Sequence, residues 1–338
     1  MSLSYRAYGL SIVSEIPIPG LIPVAGDALS VDLKLELGPE PAWVSNALRL
    51  SSRCFHKQAA EPATHDPALI VSVLGETEFY ELAYSDGTRF VLDGATTRIW
   101  AQWTPPLMIE DFATYFLGPV MGFVLRRRGV IALHASSVCV EGQAIAFSGE
   151  AHAGKSTTAA AMALRGAPVL CEDIAALREK NGALWVEPGY PRVCLWPDSV
   201  EKLVGAADGL PRLTPTWDKC YLSLDGSRAK FETQSRPLAA VYLFGPRVED
   251  ENAPRVEDIG PRDAVLELVQ NTYMNWILDR AQRAAEFDVL ARLASRIPIR
   301  RVVAHRDPRR IPNLCDLLFA DAQGLASERM TVHDVSGQ

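Results

Sequence analysis

Gly149-Glu150-Ala151-His152-Ala153-Gly154-Lys155-Ser156 fits the phosphate-loop pattern G-x-x-x-x-G-K-[ST] at every fixed position. Glycines let such a loop curl so that several backbone N–H groups converge on phosphate oxygens. The loop then feeds a helix N-terminus, which adds partial positive charge where the anion sits. Lys155 can reach the β- and γ-phosphates, and the Ser156 hydroxyl can ligate Mg²⁺. The flanks agree with this reading. Gln143–Ser148 is a short apolar run of the kind that forms a buried strand. Thr157–Arg165 is alanine-rich and stops at Gly166, as a helix does. Gly149 to Thr157 are therefore the expected nucleotide-binding residues, with ATP and Mg²⁺ as ligands.

Working outward, Val130–Val140 and the loop strand are separated by Glu141-Gly142, which predicts a hairpin leading into the loop. Downstream, Pro168–Cys171 reads as a buried strand ending at Glu172-Asp173. A helix and a return strand bring these carboxylates beside the loop. Phosphoryl transfer needs a carboxylate at the metal and a group to accept the nucleophile's proton. Glu172 and Asp173 are the candidates for these two roles, their order left open, with Ser156 and Asp173 as metal ligands. His134, on the strand before the loop strand, joins Asp173, Glu172 and Lys155 in the expected catalytic set.

Bulk properties bound the rest. The chain has 338 residues, enough for one large or two ordinary domains. Its net charge of -7 argues against a general nucleic-acid surface. The arginine run 300, 301, 306, 309, 310 reads as a solvated face or an acidic-partner site. Six cysteines lack C-x-x-C or zinc spacing, and several sit in apolar runs, which predicts reduced thiols and a cytoplasmic location. The N-terminus lacks a basic-then-apolar leader. Phe112–Leu125 is too short to span a bilayer and contains Gly118-Pro119, so it is expected as a buried helix.

Residues 1–105 read as a β-rich module, a meander of short antiparallel strands. Val31–Leu37 alternates, and Phe79–Tyr84 and Arg89–Leu92 flank an Asp-Gly turn. Lys57–Pro67 reads as a loop, Asp198–Val204 as a helix capped by Asp198, Asp263–Ala294 as helical, and Arg301–Ala304 as a last strand. The second domain is expected over 106–330, joined by a helix over 109–128.

The run Leu133-His134-Ala135, the loop, and Leu170-Cys171-Glu172-Asp173 resemble the C-terminal catalytic domain of the HPr kinase/phosphorylase family. That resemblance implies an α/β phosphate-loop fold related to phosphoenolpyruvate carboxykinase for the second domain, whereas the β-rich module of residues 1–105 differs from the family's usual N-terminal domain. It implies an ATP-dependent serine kinase. The family carries Asp-Asp where this chain has Glu172-Asp173, and by the same resemblance Glu187 corresponds to a family glutamate that acts with the metal, although its neighbours Pro188-Gly189 depart from the family pattern. Tyr5–Leu10, Tyr190-Pro191-Arg192, Leu195–Ser199, Leu213–Lys219 and Asn271-Thr272-Tyr273 resemble the subgroup that phosphorylates lasso-peptide precursors. The expected partner is therefore a serine-containing peptide or protein, with recognition by the N-terminal module, and a homo-oligomer is left open. Within that resemblance Asp218, Lys219 and Arg192 are candidates for binding substrate, with Arg280 as a further phosphate-clamping guanidinium. A kinase of a small hydroxylated metabolite and a nucleotide-gated binding protein are the alternatives.

Overall fold

Period-two alternation of apolar and polar residues builds the N-terminal part of the chain. The computed structural model describes residues 2–25, 30–60, 68–76 and 78–335, with side chains as far as Ser327. It divides into two units, Met1–Arg128 with Arg212–Asp218, and Gly129–Pro211 with Lys219–Gln338. The division falls after the helix over 109–128, not at 105/106, because that helix packs into the first unit's core.

The first unit holds one eight-stranded sheet. Its strands are β1 (Leu3–Ala7), β2 (Leu10–Ser14), β3 (Leu33–Leu37), β4 (Ser52–Gln58), β5 (Leu69–Leu74), β6 (Phe79–Tyr84), β7 (Arg89–Asp93) and β8 (Arg98–Gln102). The order is β1-β2-β3-β8-β7-β6-β5-β4. The sheet departs from the expected antiparallel meander at β3, which is parallel to both β2 and β8. Alternation specifies which face a residue takes, not strand direction, and the long β2–β3 connection permits a parallel crossover. A helix the sequence reading omitted, α1 (Ala42–Leu48), packs Val44 and Ala47 against Leu74, Val91 and Trp100. Lys57 and Gln58 extend β4 into the expected loop, of which 61–67 lie outside the described residues.

The predicted apolar helix is present as α2 (Ile109–Tyr115) and α3 (Met121–Arg127) joined by a π-helical turn. Pro119 lies inside that turn and supplies no N–H to an α-helical ladder. Phe112 stacks on Phe90, and Phe123 meets Tyr80 edge-on. Phe112, Phe116 and Phe123 are fully buried, worth about 1.5–3 kcal/mol each. Arg212–Asp218 belongs to this unit through Trp217, edge-on to Tyr115, and Thr216, bonded to buried Asp111.

The second unit is a mixed α/β structure. Its strands are β9 (Ile131–Val140), β10 (Gln143–Gly149), β11 (Val169–Cys171), β12 (Ile174–Lys180), β13 (Ala183–Val186), β14 (Arg192–Leu195), β15 (Cys220–Ser223), β16 (Arg236–Phe244), β17 (Arg255–Asp258) and β18 (Ile299–Val303). Its helices are α4 (Lys155–Ala163), α5 (Pro197–Val204), α6 (Pro261–Gln270), α7 (Arg280–Arg296) and α8 (Ile311–Val335). β9 and β10 form the predicted hairpin. The pairings close a circuit β10–β9–β12–β13–β16 and back to β10. β10, β16 and β18 run parallel, so their C-terminal ends share one edge. One face packs α4 and α8, and the other packs α6 and α7.

Several boundaries differ from expectation. α4 starts at Lys155, two residues before the alanine-rich run. α5 is capped by Trp196, with Asp198 in its first turn. The helical region 263–294 breaks between α6 and α7. β12 and α8 were not anticipated. Among the described residues no helix is long and apolar enough to cross a membrane.

Candidate active site

Parallel strands deliver their loops at their C-terminal ends, where α/β sheets bind ligands. The phosphate loop leaves β10 there. Gly149 has φ +142° beside β16, and a Cβ on it would stand 2.5 Å from the Phe244 carbonyl oxygen. Gly154 caps α4 at φ +111°. His152 also takes a left-handed conformation, φ +63°. The Lys155 ammonium is buried and donates to the carbonyl oxygens of Gly149 and Glu150, both at 2.8 Å. Burial lowers its pKa, while the charges of Asp173 and Glu172 oppose that.

β11 brings the two carboxylates to the loop. The Ser156 hydroxyl donates to Glu172 Oε1 at 2.8 Å, and the Tyr190 hydroxyl to Oε2 at 3.4 Å. Asp173 turns the other way. His134 Nε2 lies 3.1 Å from its Oδ1, and the Tyr273 hydroxyl donates to Oδ2 at 3.3 Å. Asp173 has φ +65°, and the Ile174 N–H closes a bond to the Glu172 carbonyl at 2.7 Å. That is the rare, strained form of γ-turn, a kind of outlier that clusters at functional sites. It splays adjacent side chains to different partners.

The environments push the pair apart. Burial, then the charge of Asp173, raises the Glu172 carboxyl to about 7. For Asp173 burial works upward, but the hydrogen bond and charge of His134, then Lys219 and Lys155, hold it at about 2. Glu172 is 7% exposed, whereas a third of the Asp173 side chain is open. Of the two carboxylates, Asp173 is the more open to solvent. Among the described residues no group of three or more His, Cys, Asp or Glu could hold a metal ion. A hydroxyl and one carboxylate, as at Ser156 and Glu172, nevertheless fit Mg²⁺, which keeps waters and takes remaining ligands from phosphates.

No family model matches the chain, and no curated protein does. Among solved structures, the Hpr(Ser) kinase/phosphatase from Coxiella burnetii is matched at 16% identity. The match covers 60% of this chain and 96% of that one, with a TM-score of 0.31. So shallow a likeness carries no argument, and the reading rests on the residues.

The structure thus brings together the loop, His134, Glu172 and Asp173. Thr157 shares a hydrogen bond with Ser199 at 2.9 Å. Glu187 does not join them. It pairs with Lys180 at 2.8 Å and Arg178 at 3.5 Å. Asp218 belongs to the first unit, in an exposed pair with Arg212. Lys219 lies over the Trp196 ring, Arg192 lies over Tyr221, and Arg280 is exposed at the start of α7. Of the arginine run, residues 300, 301, 306 and 309 pair with Asp321, Glu267, Glu249 and Asp307, which makes them structural or surface ion pairs.

Sequence reasoning gave no role to Tyr190, Tyr273 or Arg247. Tyr273 lies in the break between α6 and α7, where its N–H bonds to Ala132 O at 2.8 Å and holds it beside His134. Arg247, just past the end of β16, reaches the His152 carbonyl at 3.4 Å. A Cβ on Gly154 would meet its guanidinium at 3.0 Å. Its only local signal is an arginine after Gly245-Pro246 at the end of an apolar strand.

Proposed function

We propose that this protein is an ATP-dependent kinase that transfers the γ-phosphate to a serine hydroxyl of a peptide or protein. The observation that carries the reading is the partly open Asp173 carboxylate, held by His134 and Tyr273 beside a phosphate loop whose serine bonds to Glu172.

The triphosphate binds the loop N–H groups and the α4 N-terminus, with Lys155 leaving the loop carbonyls for the β- and γ-phosphates. Ser156 and Glu172 are the residues that would hold Mg²⁺. This assigns the metal role to Glu172 rather than to Asp173. The ion, when bound, neutralises charge on the phosphate oxygens. Asp173 accepts the serine proton as the serine oxygen bonds to the γ-phosphorus and the bond to the ADP oxygen breaks. The transition state of such transfers is loose, so an ionised carboxylate that orients the hydroxyl suffices even at low pKa. His134 and Tyr273 fix the direction of that carboxylate.

Recognition of the peptide by the first unit is part of the proposal. The edge strands of that unit's sheet, β1 and β4, are where such a peptide would add as a strand. The lasso-precursor type of substrate rests on the resemblance of the quoted motifs alone. The test is Asp173→Asn. Nucleotide affinity should stay within about threefold, while transfer to a serine peptide falls at least about a hundredfold. Retained transfer, or lost nucleotide binding in a folded variant, contradicts the assignment.

A further inference from the structure

β14 and β15 form a two-stranded ribbon with sharply different faces. Val193, Leu195, Cys220 and Leu222 enter the core. The register Cys194↔Tyr221 puts Arg192, Cys194 and Trp196 on the opposite face with Lys219, Tyr221 and Ser223. On that face the Arg192 guanidinium lies 4.3 Å from the Tyr221 ring centre, and the Lys219 ammonium 4.9 Å from that of Trp196.

The ribbon touches both halves of the reaction centre. Trp196 lies 6.4 Å from the His152 ring of the phosphate loop. Cys194 is 3.9 Å from the Tyr190 hydroxyl, which donates to Glu172. The charge of Lys219 also favours the ionised forms of Glu172 and Asp173.

Among the described residues neither cation forms an ion pair; each is held on a ring instead. A cation–π contact at a partly exposed site is worth only about 0.5–1 kcal/mol. A guanidinium held on a ring keeps N–H groups that are not used by the ring, and such a group can take a carboxylate with two bonds. The chain as a whole carries a net charge of -7, so an acidic partner depends on a local cationic strip for its attraction.

We propose that this face is the acceptor-docking strip, and that it takes an acidic peptide segment whose carboxylates lie beside the serine to be phosphorylated. The serine part of this statement rests on the kinase reading; the charge preference does not. Lys219, just before β15, and Tyr221 stand two residues apart, about 7 Å at strand rise, which suits carboxylates at i and i+2 of an extended peptide.

The test uses the full chain and a short fluorescein-labelled peptide with one serine and an Asp-Ala-Asp run, against its Asn-Ala-Asn counterpart. Anisotropy reads binding without turnover. The acidic peptide should bind at least about tenfold tighter at low salt, and Arg192→Gln or Lys219→Gln should each cut that preference to about threefold or less. Arg192→Glu should shift the preference toward a Lys-Ala-Lys peptide, a gain that misfolding cannot produce. Equal affinity for the acidic and neutral peptides, or variants that keep the preference, overturns the proposal. The two readings fail separately. An acidic peptide that binds selectively but gains no phosphate refutes the kinase and leaves the strip. Phosphorylation indifferent to charge refutes the strip and leaves the kinase.

Discussion

Glu172→Gln should stabilise the protein while removing its activity. The carboxyl is buried and stands next to Asp173, which raises its pKa from 4.5 to about 7. A raised carboxyl contributes stability that is fully present below the unfolded pKa and is lost as pH rises through the folded one. The window here is therefore about pH 4.5 to 7. At about 1.4 kcal/mol per tenfold in proton affinity, ionised Glu172 costs about 3 kcal/mol at pH 8 and under about 1 kcal/mol at pH 5. Glutamine keeps the shape and an acceptor oxygen for the Ser156 hydroxyl but removes the charge. For a unit of this size the gain at pH 8 corresponds to roughly 6–12 °C in Tm. The assay is thermal unfolding of both proteins at pH 5 and pH 8, with phosphotransfer measured in parallel. The expected result is a large gain at pH 8, a small one at pH 5, and lost transfer because Ser156 and Glu172 no longer hold Mg²⁺. An unchanged or lower Tm at pH 8, or an equal gain at both pH values, refutes the reasoning.

His134→Ala frees the Asp173 carboxylate to rotate, so kcat should fall about a hundredfold with KM for ATP unchanged, as steady-state kinetics would read. Gly149→Ala drives a Cβ into the Phe244 carbonyl oxygen, which belongs to a paired strand and cannot move aside. It should cost roughly 2–4 kcal/mol in urea unfolding. Asp321→Ala removes the acceptor of the buried Tyr242 hydroxyl and the partner of Arg300. About 3 kcal/mol should be lost in the same assay, with the nucleotide site intact.

What could be read in the sequence is what is local. The phosphate loop, its strand, the β9–β10 hairpin and the acidic pair are contiguous motifs whose chemistry dictates residue type and spacing. The proposed division of labour between Glu172 and Asp173 was not legible, because it rests on a left-handed conformation at Asp173 that an aspartate does not advertise. Tyr190 and Tyr273 reach the carboxylates only through the fold, and Arg247 reaches the loop because β16 happens to be the parallel neighbour of β10. Period-two alternation located β3 but could not reveal its parallel pairing. The break between α6 and α7 was missed because Asn271–Leu278 contains no glycine or proline, yet that break carries Tyr273. Lys219 and Asp218 adjoin in sequence, but the fold assigns them to different units.

The central claim is transfer of phosphate to a serine hydroxyl at the loop. Its most direct measurement is mass spectrometry of a serine peptide and its alanine counterpart after incubation with the full chain, Mg²⁺ and ATP, with Lys155→Ala alongside. One added phosphate is expected, localised by fragmentation to the serine, absent from the alanine peptide and from the Lys155→Ala reaction. ATP bound or hydrolysed with no phosphate on any serine peptide, acidic ones included, would contradict it.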